Sequence, residues 1–342
     1  MKIDNNLKWL KISGDAWDVG LQLGKIGKDA VWEELIKCDL WKEIISYKNE
    51  KFVKKLHKNT KKRFPLIYEE IQGLAKGLDL PFEDVFLWNC RGDILANTND
   101  GCTTLQIPGE KRTIAHNEDG LPFFKKRCFI VDISVINHPS FISFYYPGSI
   151  PGHTFAFNNK GIAIAINNLR LKNIQAQYPR MVIGRAILNC HSLDNIVDLI
   201  KNHSNAGGFN FSLASTKDKK LLDVEFGGGY VGVKEIENIS LHANHAIYQP
   251  LNKKEQIITD SSFHRQARFK SIEKENKIFS PMDILRDTNG DGLPIFRTDP
   301  KDPDNENTIA SAIFKISQNC IEYTFYESDS KNPSYKGQMK IE

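Results

Sequence analysis

The feature that most constrains this sequence is a change in character near residue 100. Before it, apolar residues recur close to helical spacing from residue 15 to about 95, as Trp17, Leu21 and Val31 illustrate. After it, short β-rich runs dominate, and the runs 103–107 and 113–116 flank a Pro108-Gly109 turn typical of a hairpin. Further strands, a helical stretch, more strands, two helices and two or three final strands follow. This order predicts an α+β layered fold with antiparallel sheets.

Within this order, a second N-terminal helix is predicted over about 50–78 and a third from Pro81. Another helical stretch covers about 181–203. The residues 97–101 form a loop by composition. The polar stretch 287–307 begins with a segment similar to a calcium loop, but Thr298 stands where such a loop needs Glu, so a surface loop is expected.

Composition narrows the class of partner. The 342 residues are 40% hydrophobic with a net charge of +4, and the charges of both signs are mixed along the chain. A sizeable core is therefore expected, in one large domain or two modest ones, and nucleic acid is not an expected partner. No apolar run approaches the ~20 residues of a membrane helix. The N-terminus lacks a signal-peptide core, which favours a cytoplasmic location without a membrane partner.

The six cysteines are widely scattered and form no CxxC pair, so neither a zinc site nor a disulfide framework is expected. No nucleotide-binding motif is present, and no cofactor is predicted. The sequence leaves a homo-oligomer open.

The Gly101-Cys102 pair lies where the polar loop meets the first β-run. A thiol there can attack its own preceding carbonyl in an N-to-S acyl shift, and water then releases a chain that begins with Cys102. The new α-amine has an unperturbed pKa of about 7.7–8.0, so it can serve as a base at neutral pH. The adjacent thiol is a strong nucleophile once ionised. One residue would thus supply both nucleophile and base.

Several segments in order carry a resemblance: Cys90-Arg91, Gly101-Cys102-Thr103, Asn117-Glu118-Asp119, Asn158-Asn159-Lys160-Gly161, Asn167-Asn168, Gly208–Ala214, His242-Ala243-Asn244-His245 and Asp260–Arg265. Together they resemble the isopenicillin N acyltransferase (acyl-coenzyme A:6-aminopenicillanic acid acyltransferase) family of N-terminal nucleophile hydrolases, over about residues 15–340. The related bile-salt hydrolases carry Arg where His116 stands and lose only a short leader. This chain has a helical segment before Cys102, and both differences favour the acyltransferase branch.

The resemblance implies a four-layer αββα fold with two stacked antiparallel sheets. It also implies self-cleavage into an α chain, 1–101, and a β chain, 102–342, which remain together as one structural domain.

Site roles follow from the resemblance by position. Cys102 is the expected nucleophile, exposed after cleavage behind Gly101. Asp119 would hold the new α-amine or the proton network of the thiol, Asn210 would donate to the oxyanion, and Arg265 would lower the thiol pKa.

Three further residues are expected to support the site. Asn117 either orients the backbone near the nucleophile or caps a turn. Asn168 would line the site, with Asn167 as the competing register. Ser262 either bonds near the site or caps a helix. The aromatic residues that could line an apolar acyl pocket, or be plain core, are Phe123, Phe124, Tyr145, Tyr146 and Phe209.

The sequence favours hydrolysis of a linear N-acyl amide of a small molecule through a thioester on Cys102. Transfer of the acyl group to an amine is the alternative, although no coenzyme A signature is visible. A third hypothesis is an ordinary Cys–His hydrolase that uses His116, His242 or His245 and needs no cleavage. A non-catalytic relative with a binding role is the fourth.

Overall fold

A computed structural model of the chain describes residues 7–98, 101–275, 279–328 and 330–341. Its helices are α1 (Ala16–Glu33), α2 (Asp39–Ser46), α3 (Lys51–Arg63), α4 (Pro65–Leu78), α5 (Phe82–Trp88), α6 (Arg91–Ile94), α7 (Arg180–Ile187), α8 (Leu193–His203), α9 (Asp260–Lys274) and α10 (Pro281–Leu285). Its strands are β1 (Lys8–Gly14), β2 (Gly101–Ile107), β3 (Arg112–Gly120), β4 (Phe129–Val135), β5 (Phe141–Tyr145), β6 (Phe155–Asn158), β7 (Ile162–Leu169), β8 (Gly208–Ser215), β9 (Leu221–Gly227), β10 (Tyr230–Glu235), β11 (Ser240–His242), β12 (Asn307–Ser317), β13 (Cys320–Glu327) and β14 (Tyr335–Lys340). No helix among these described residues is long and apolar enough to span a bilayer.

Two predicted helices prove to be interrupted. The helix expected over 50–78 is wrong as one element, because α3 ends before Phe64 and α4 begins at Pro65. Proline lacks an amide proton and disfavours helical geometry at the residue before it, and Phe64 accordingly has φ −129° and ψ 57°. The stretch 181–203 divides into α7 and α8, and Ser192 caps α8 by accepting from the amide of Asn195.

The strands form two sheets. The first has eight strands in the order β1-β4-β5-β6-β7-β8-β9-β10, and the second has six in the order β11-β2-β3-β12-β13-β14. All neighbours pair antiparallel except β1 and β4, which run parallel. The sequence analysis missed β1, which adds an edge strand to the first sheet. The predicted antiparallel sheets are otherwise confirmed.

The two sheets stack face to face, since β2 and β3 of the six-stranded sheet contact β7, and β3 also contacts β8. Helices α1 and α8 cover the eight-stranded sheet, and α9 and α10 cover the six-stranded sheet. This is the predicted four-layer αββα arrangement. The main apolar core draws on both sides of residue 101, with Leu23 and Leu74 on the helical side and Phe144 and Phe211 on the strand side.

Close packing of α1 against α4 depends on glycine. A Cβ added at Gly20 would lie 1.9 Å from the carbonyl oxygen of Glu70, and one at Gly73 would lie 2.2 Å from that of Trp17. The two backbones therefore approach more closely than side chains would allow, which fixes the helical layer over the sheet.

The predicted surface loop 287–307 is correct only in part. Residues 288–292 are exposed, and Asp287 is paired with Arg268 at 2.8 Å, but residues 295–297 and Glu306 are buried, and Asn307 begins β12. The loop 97–101 is described at residues 97, 98 and 101, and its residues Asn99 and Asp100 lie outside the described part. Gly101 is the first residue of β2, so the Gly101–Cys102 bond lies at the start of a strand of the central sheets.

Candidate active site

Cys102 is buried as the second residue of β2. Alternate side chains of a strand point to opposite faces, and the contacts of β2 follow this rule. The side chains of Cys102 and Thr104 face the eight-stranded sheet, where Thr104 meets Asn167 of β7. The side chain of Thr103 faces α9, where it meets Arg265. The nucleophile candidate therefore projects between the two sheets, while its backbone is reached from the helical side.

A buried polar chain begins at the thiol. Antiparallel register sets Cys102 opposite Glu118 and Thr104 opposite His116. The Cys102 Sγ lies 3.7 Å from Glu118 Oε2, which lies 3.0 Å from His116 Nε2. The His116 Nδ1 lies 2.8 Å from Thr104 Oγ1, and Thr104 donates to Asn167 Oδ1 at 2.6 Å. Burial lowers the pKa of His116 to about 3, so the imidazole is neutral at physiological pH.

The backbone of Cys102 is held at both polar atoms. Its N–H donates to Asn244 Oδ1 at 3.0 Å, and its carbonyl accepts from Arg265 Nη1. The same guanidinium donates to Thr103 Oγ1 at 2.8 Å and to Asn244 Oδ1 at 2.6 Å. Arg265 thus binds both Cys102 and Asn244, the residue that accepts from the Cys102 N–H. Burial lowers the pKa of Arg265, while Asp119, Glu306 and Cys102 act to raise it.

Ser262 supports this arrangement from the first turn of α9. Its Oγ accepts from the backbone N–H of Asn244 at 2.8 Å and lies 2.7 Å from His245 Nδ1. The N-cap of α9 is Thr259, whose side chain accepts from the Ser262 amide. The expectation that Ser262 caps the helix is therefore wrong, and its hydroxyl instead bonds Asn244, which contacts Cys102.

Asp119 lies on the helical side of β3, directly opposite Gly101 in register. Its Oδ1 accepts from Thr308 Oγ1 at 2.6 Å. Its Oδ2 is buried, and no hydrogen-bond donor of the described residues reaches it. Burial raises the pKa of Asp119, whereas Arg265 and Arg297 act to lower it. The carboxyl group therefore has one acceptor atom without a hydrogen bond among the described residues, beside the Gly101–Cys102 bond.

Glu306 packs against Gly101. A Cβ added at Gly101 would lie 2.2 Å from Glu306 Oε2. This carboxyl group is itself fixed, because Arg170 donates to Oε1 at 3.2 Å and Arg297 donates to Oε2 at 2.6 Å. Burial raises the pKa of Glu306 to about 7 despite both arginines. Gly101 has no left-handed backbone, so glycine is required here for room and not for conformation.

The three predicted asparagines occupy different places. Asn117 faces the helical layer, where it donates to Leu285 O at 2.6 Å and accepts from Ser311 at 2.7 Å. The Asn168 side chain donates to Thr98 Oγ1 at 3.2 Å, shortly before the Gly101–Cys102 bond. Its backbone oxygen accepts from Asn244 Nδ2 at 3.2 Å. Both proposed registers thus reach the site, since Asn167 contacts Thr104.

Asn210 lies on β8 opposite Asn167. Its Nδ2 donates to Asp223 Oδ1 at 2.5 Å, and its Oδ1 has no partner among the described residues. Among the described residues, no hydrogen bond joins Asn210 to Cys102. A role as oxyanion donor requires its amide to leave Asp223, and that role stays a prediction.

The aromatic candidates separate into two groups. Phe124 and Tyr146 line a small cavity beside Gly120, together with Trp88 and Arg91. By contrast, the hydroxyl of Tyr145 donates to Leu23 O at 3.0 Å in the core, Phe209 lies under the Arg180 guanidinium, and Phe123 packs on Phe124.

The three histidines proposed for a Cys–His pair have different hydrogen-bond partners. His242 is paired with Glu225 at 2.8 Å, and His245 is bound to Ser262. His116 alone of the three shares a carboxylate with Cys102. The ligand atoms of Cys102, His116 and Glu118 lie within 4.8 Å of one another, so among the described residues this trio is close enough to hold a metal ion.

Three residues of the site were not singled out in the sequence. Asn244 stood within the quoted His242–His245 segment, and Glu118 was the variable position of Asn117-Glu118-Asp119, so a hint existed for both. Glu306 follows a polar loop with no local signal, and only the folded chain brings it to Gly101.

The chain is similar in sequence to known proteins. A family model described as acyl-coenzyme A:6-aminopenicillanic acid acyl-transferase matches residues 107–330. A beta-alanyl-dopamine/carcinine hydrolase of Drosophila melanogaster is 24% identical over 314 residues, which cover 81% of this chain and 79% of that protein. The acyl-coenzyme A:6-aminopenicillanic-acid-acyltransferase 40 kDa form of Emericella nidulans is 28% identical over 130 residues, 37% of this chain and 36% of that protein.

Among solved structures, a mutant of the conjugated bile acid hydrolase from Clostridium perfringens is 9% identical, with a TM-score of 0.41, over 70% of this chain and 92% of that chain. The family model spans well over half of the 342 residues and begins at Ile107, the last residue of β2, so the matched range leaves out Cys102. The chain therefore belongs to the acyl-coenzyme A:6-aminopenicillanic acid acyl-transferase family.

Proposed function

We propose that this protein is a self-processing N-terminal cysteine amidohydrolase, which cleaves a linear N-acyl amide bond through a thioester on Cys102. The observation that carries the proposal is that both backbone polar atoms of Cys102 are hydrogen-bonded by side chains. Its N–H is bound by Asn244 and its carbonyl by Arg265, while the thiol projects between the two sheets, 3.7 Å from Glu118 Oε2. A nucleophile held in this way is positioned before the reaction begins.

Self-processing would start with attack of Sγ on the Gly101 carbonyl carbon. The C–N bond to Cys102 breaks, a thioester forms, and water releases residues 1–101 from residues 102–342. Asn244 Oδ1 already accepts from the nitrogen of Cys102 and is ready to hold the new α-amine. The free Oδ2 of Asp119 lies opposite Gly101 and offers a second acceptor for an ammonium group.

Turnover of substrate would repeat the same chemistry at the exposed N-terminus. The α-amine takes the thiol proton, the thiolate attacks the substrate carbonyl, and the amine product leaves from the thioester. Arg265 supplies a fixed positive charge next to the nucleophile, and Asn210 is the proposed oxyanion donor.

Hydrolysis is proposed over acyl transfer because the relative that matches most of both chains is a hydrolase. The acyltransferase match covers about a third of each protein. A small-molecule amide as substrate and a cytoplasmic location are part of the proposal, and all six cysteines are free thiols.

The test is intact mass spectrometry of the purified chain under denaturing conditions. The parent should give two fragments that meet between Gly101 and Cys102, and Cys102→Ala should remain whole. Cys90→Ala is the matched control, because Cys90 is also buried and burial raises the pKa of its thiol. The control should cleave like the parent.

A parent that stays whole while it hydrolyses N-acyl amides would refute self-processing and favour a Cys–His hydrolase built on His116. A parent that stays whole and inactive across an N-acyl amide series would favour a binding role. Production of an acylated amine in preference to free acid, with an amine acceptor present, would favour the acyltransferase.

A further inference from the structure

The buried hydrogen-bond chain beside Cys102 has a defined direction. Asn167 Nδ2 donates to His242 O at 3.0 Å, so its Oδ1 is the atom that faces Thr104. A carbonyl oxygen can only accept, and therefore the Thr104 hydroxyl proton is used in the bond to Asn167. The remaining capacity of this hydroxyl is as an acceptor, so the His116 Nδ1 at 2.8 Å must carry a proton and donate it.

This direction determines the other side of the imidazole ring. A neutral histidine with a proton on Nδ1 has a lone pair on Nε2. That lone pair faces Glu118 Oε2 at 3.0 Å, and an ionised carboxylate is also an acceptor. Two acceptors at this distance, both buried, are satisfied when a proton lies between them. The pair is therefore arranged to receive one proton, which the Glu118 carboxyl group would carry and donate to Nε2.

The donor of that proton is next to the pair. Glu118 Oε2, the same oxygen that faces His116, lies 3.7 Å from Cys102 Sγ. Before cleavage, the nitrogen of Cys102 is an amide and cannot act as a base, so another group must take the thiol proton. We propose that Glu118 is the base that ionises Cys102 in the uncleaved chain, with His116 as a positioning residue that holds the protonated carboxyl group.

This inference rests on the proposed self-processing and specifies its first step. The S–H bond breaks and its proton passes to Glu118 Oε2, which leaves a thiolate and a neutral carboxylic acid bonded to Nε2. The thiolate forms the C–S bond to Gly101, and the C–N bond breaks. The Glu118 proton goes to the departing nitrogen, which becomes the α-amine of Cys102. The carboxylate is regenerated, and the α-amine serves as base thereafter.

Cleavage kinetics test the role of Glu118. The chain is made by cell-free translation, and intact mass spectrometry follows the loss of precursor. General-base catalysis contributes about 100- to 10,000-fold, so Glu118→Gln should cleave at least ~100-fold more slowly than the parent. Glu225→Gln is the matched control, because Glu225 is also buried and bound to a histidine, His242, at 2.8 Å. Equal slowing in both variants, with equal loss of unfolding free energy, would overturn the proposal.

The role of His116 is tested by replacing its acceptor atom. His116→Leu removes the partner of the Glu118 acid and should slow cleavage by about tenfold or more. His116→Gln places an amide oxygen near the position of Nε2 and should recover much of the rate. A Gln variant as slow as the Leu variant would show that the ring acts through packing alone and would overturn the positioning role.

A measurement on the uncleaved chain separates this inference from the proposed function. In Cys102→Ala with ¹⁵N-labelled histidine, the His116 resonance, assigned by comparison with His116→Gln, should show a protonated Nδ1 and an unprotonated Nε2. A proton on Nε2 would overturn the relay even if the parent cleaves itself. If the parent does not cleave, the proposed function fails and the tautomer alone decides whether the proton-accepting pair exists. One equivalent of zinc in the purified parent, lost in His116→Gln, would also overturn it.

Discussion

The prediction that tests the scissile bond most directly is the substitution Gly101→Ala. The added Cβ would lie 2.2 Å from Glu306 Oε2, where ordinary contact begins near 3.4 Å, so the groups must separate by about 1.2 Å. Glu306 cannot yield easily, because Arg170 and Arg297 hold both of its oxygens. The peptide at residue 101 would move instead. Displacement of a reacting group by about 1 Å can cost ~100-fold in rate, and we expect this slowing of self-cleavage.

The assay is the first-order rate of precursor loss, measured by intact mass spectrometry after cell-free synthesis. Gly101→Ala should remain folded, because the backbone at residue 101 lies outside the left-handed region and suits alanine. Overpacking alone should cost about 1–3 kcal/mol of unfolding free energy.

A second substitution isolates the collision. Glu306→Asp shortens the carboxyl side chain and withdraws it from residue 101. The double variant with Gly101→Ala should therefore cleave faster than Gly101→Ala alone. If Gly101→Ala cleaves at the parent rate, or if the double variant is slower still, the reasoning that glycine is required for room beside Glu306 is refuted.

Three further predictions concern the surrounding network; the two stability measurements use Cys102→Ala as the non-cleaving background, and the cleavage rate is measured with Cys102 in place. The pKa of Glu306 in the folded protein, about 7, exceeds its ordinary value of 4.5, so between these pH values the native state binds a proton that the unfolded chain has lost. The free energy of unfolding should therefore fall by a few kcal/mol as the pH rises from 4.5 to 7, and Glu306→Gln should flatten this slope in urea unfolding. Arg265→Lys should slow self-cleavage about 100-fold, because a lysine cannot make the forked bonds to Cys102 and Asn244 together, and an unchanged rate would contradict the role of Arg265. Ser262→Ala should lower the unfolding free energy by about 1–3 kcal/mol, since the buried Asn244 amide loses its acceptor, and an unchanged urea midpoint would count against this account.

The order of elements could be predicted well from local patterns. The hairpin around Pro108-Gly109, the later strands and the helices that begin near 262 and 281 all lie within a few residues of their predicted positions. Periodicity reports the local environment of a segment, so it succeeds where that environment is uniform along the segment. It failed at Phe64-Pro65 and at β1, where a proline interrupts a helix and where a short edge strand depends on a distant partner.

The predicted roles of single residues likewise agree with the structure in some cases and differ in others. The sequence pointed to Cys102, Arg265 and Ser262 through the order of motifs, because a Gly-Cys pair alone is a weak signal. The structure brings all three together. Asn117 and Asn210 were predicted from the same resemblance, yet the structure gives neither a hydrogen bond to Cys102 within the described residues.

What the sequence by itself determined is therefore most of the elements and their order, and it singled out Cys102 as the candidate nucleophile. Only the tertiary structure decided which residues surround Cys102. Glu118 reaches the Gly101–Cys102 bond from β3, Asn244 from the segment after β11, and Glu306 from the loop before β12. The physical reason is that cross-strand register and the stacking of two sheets join residues up to about 200 positions apart, and no local pattern records those contacts.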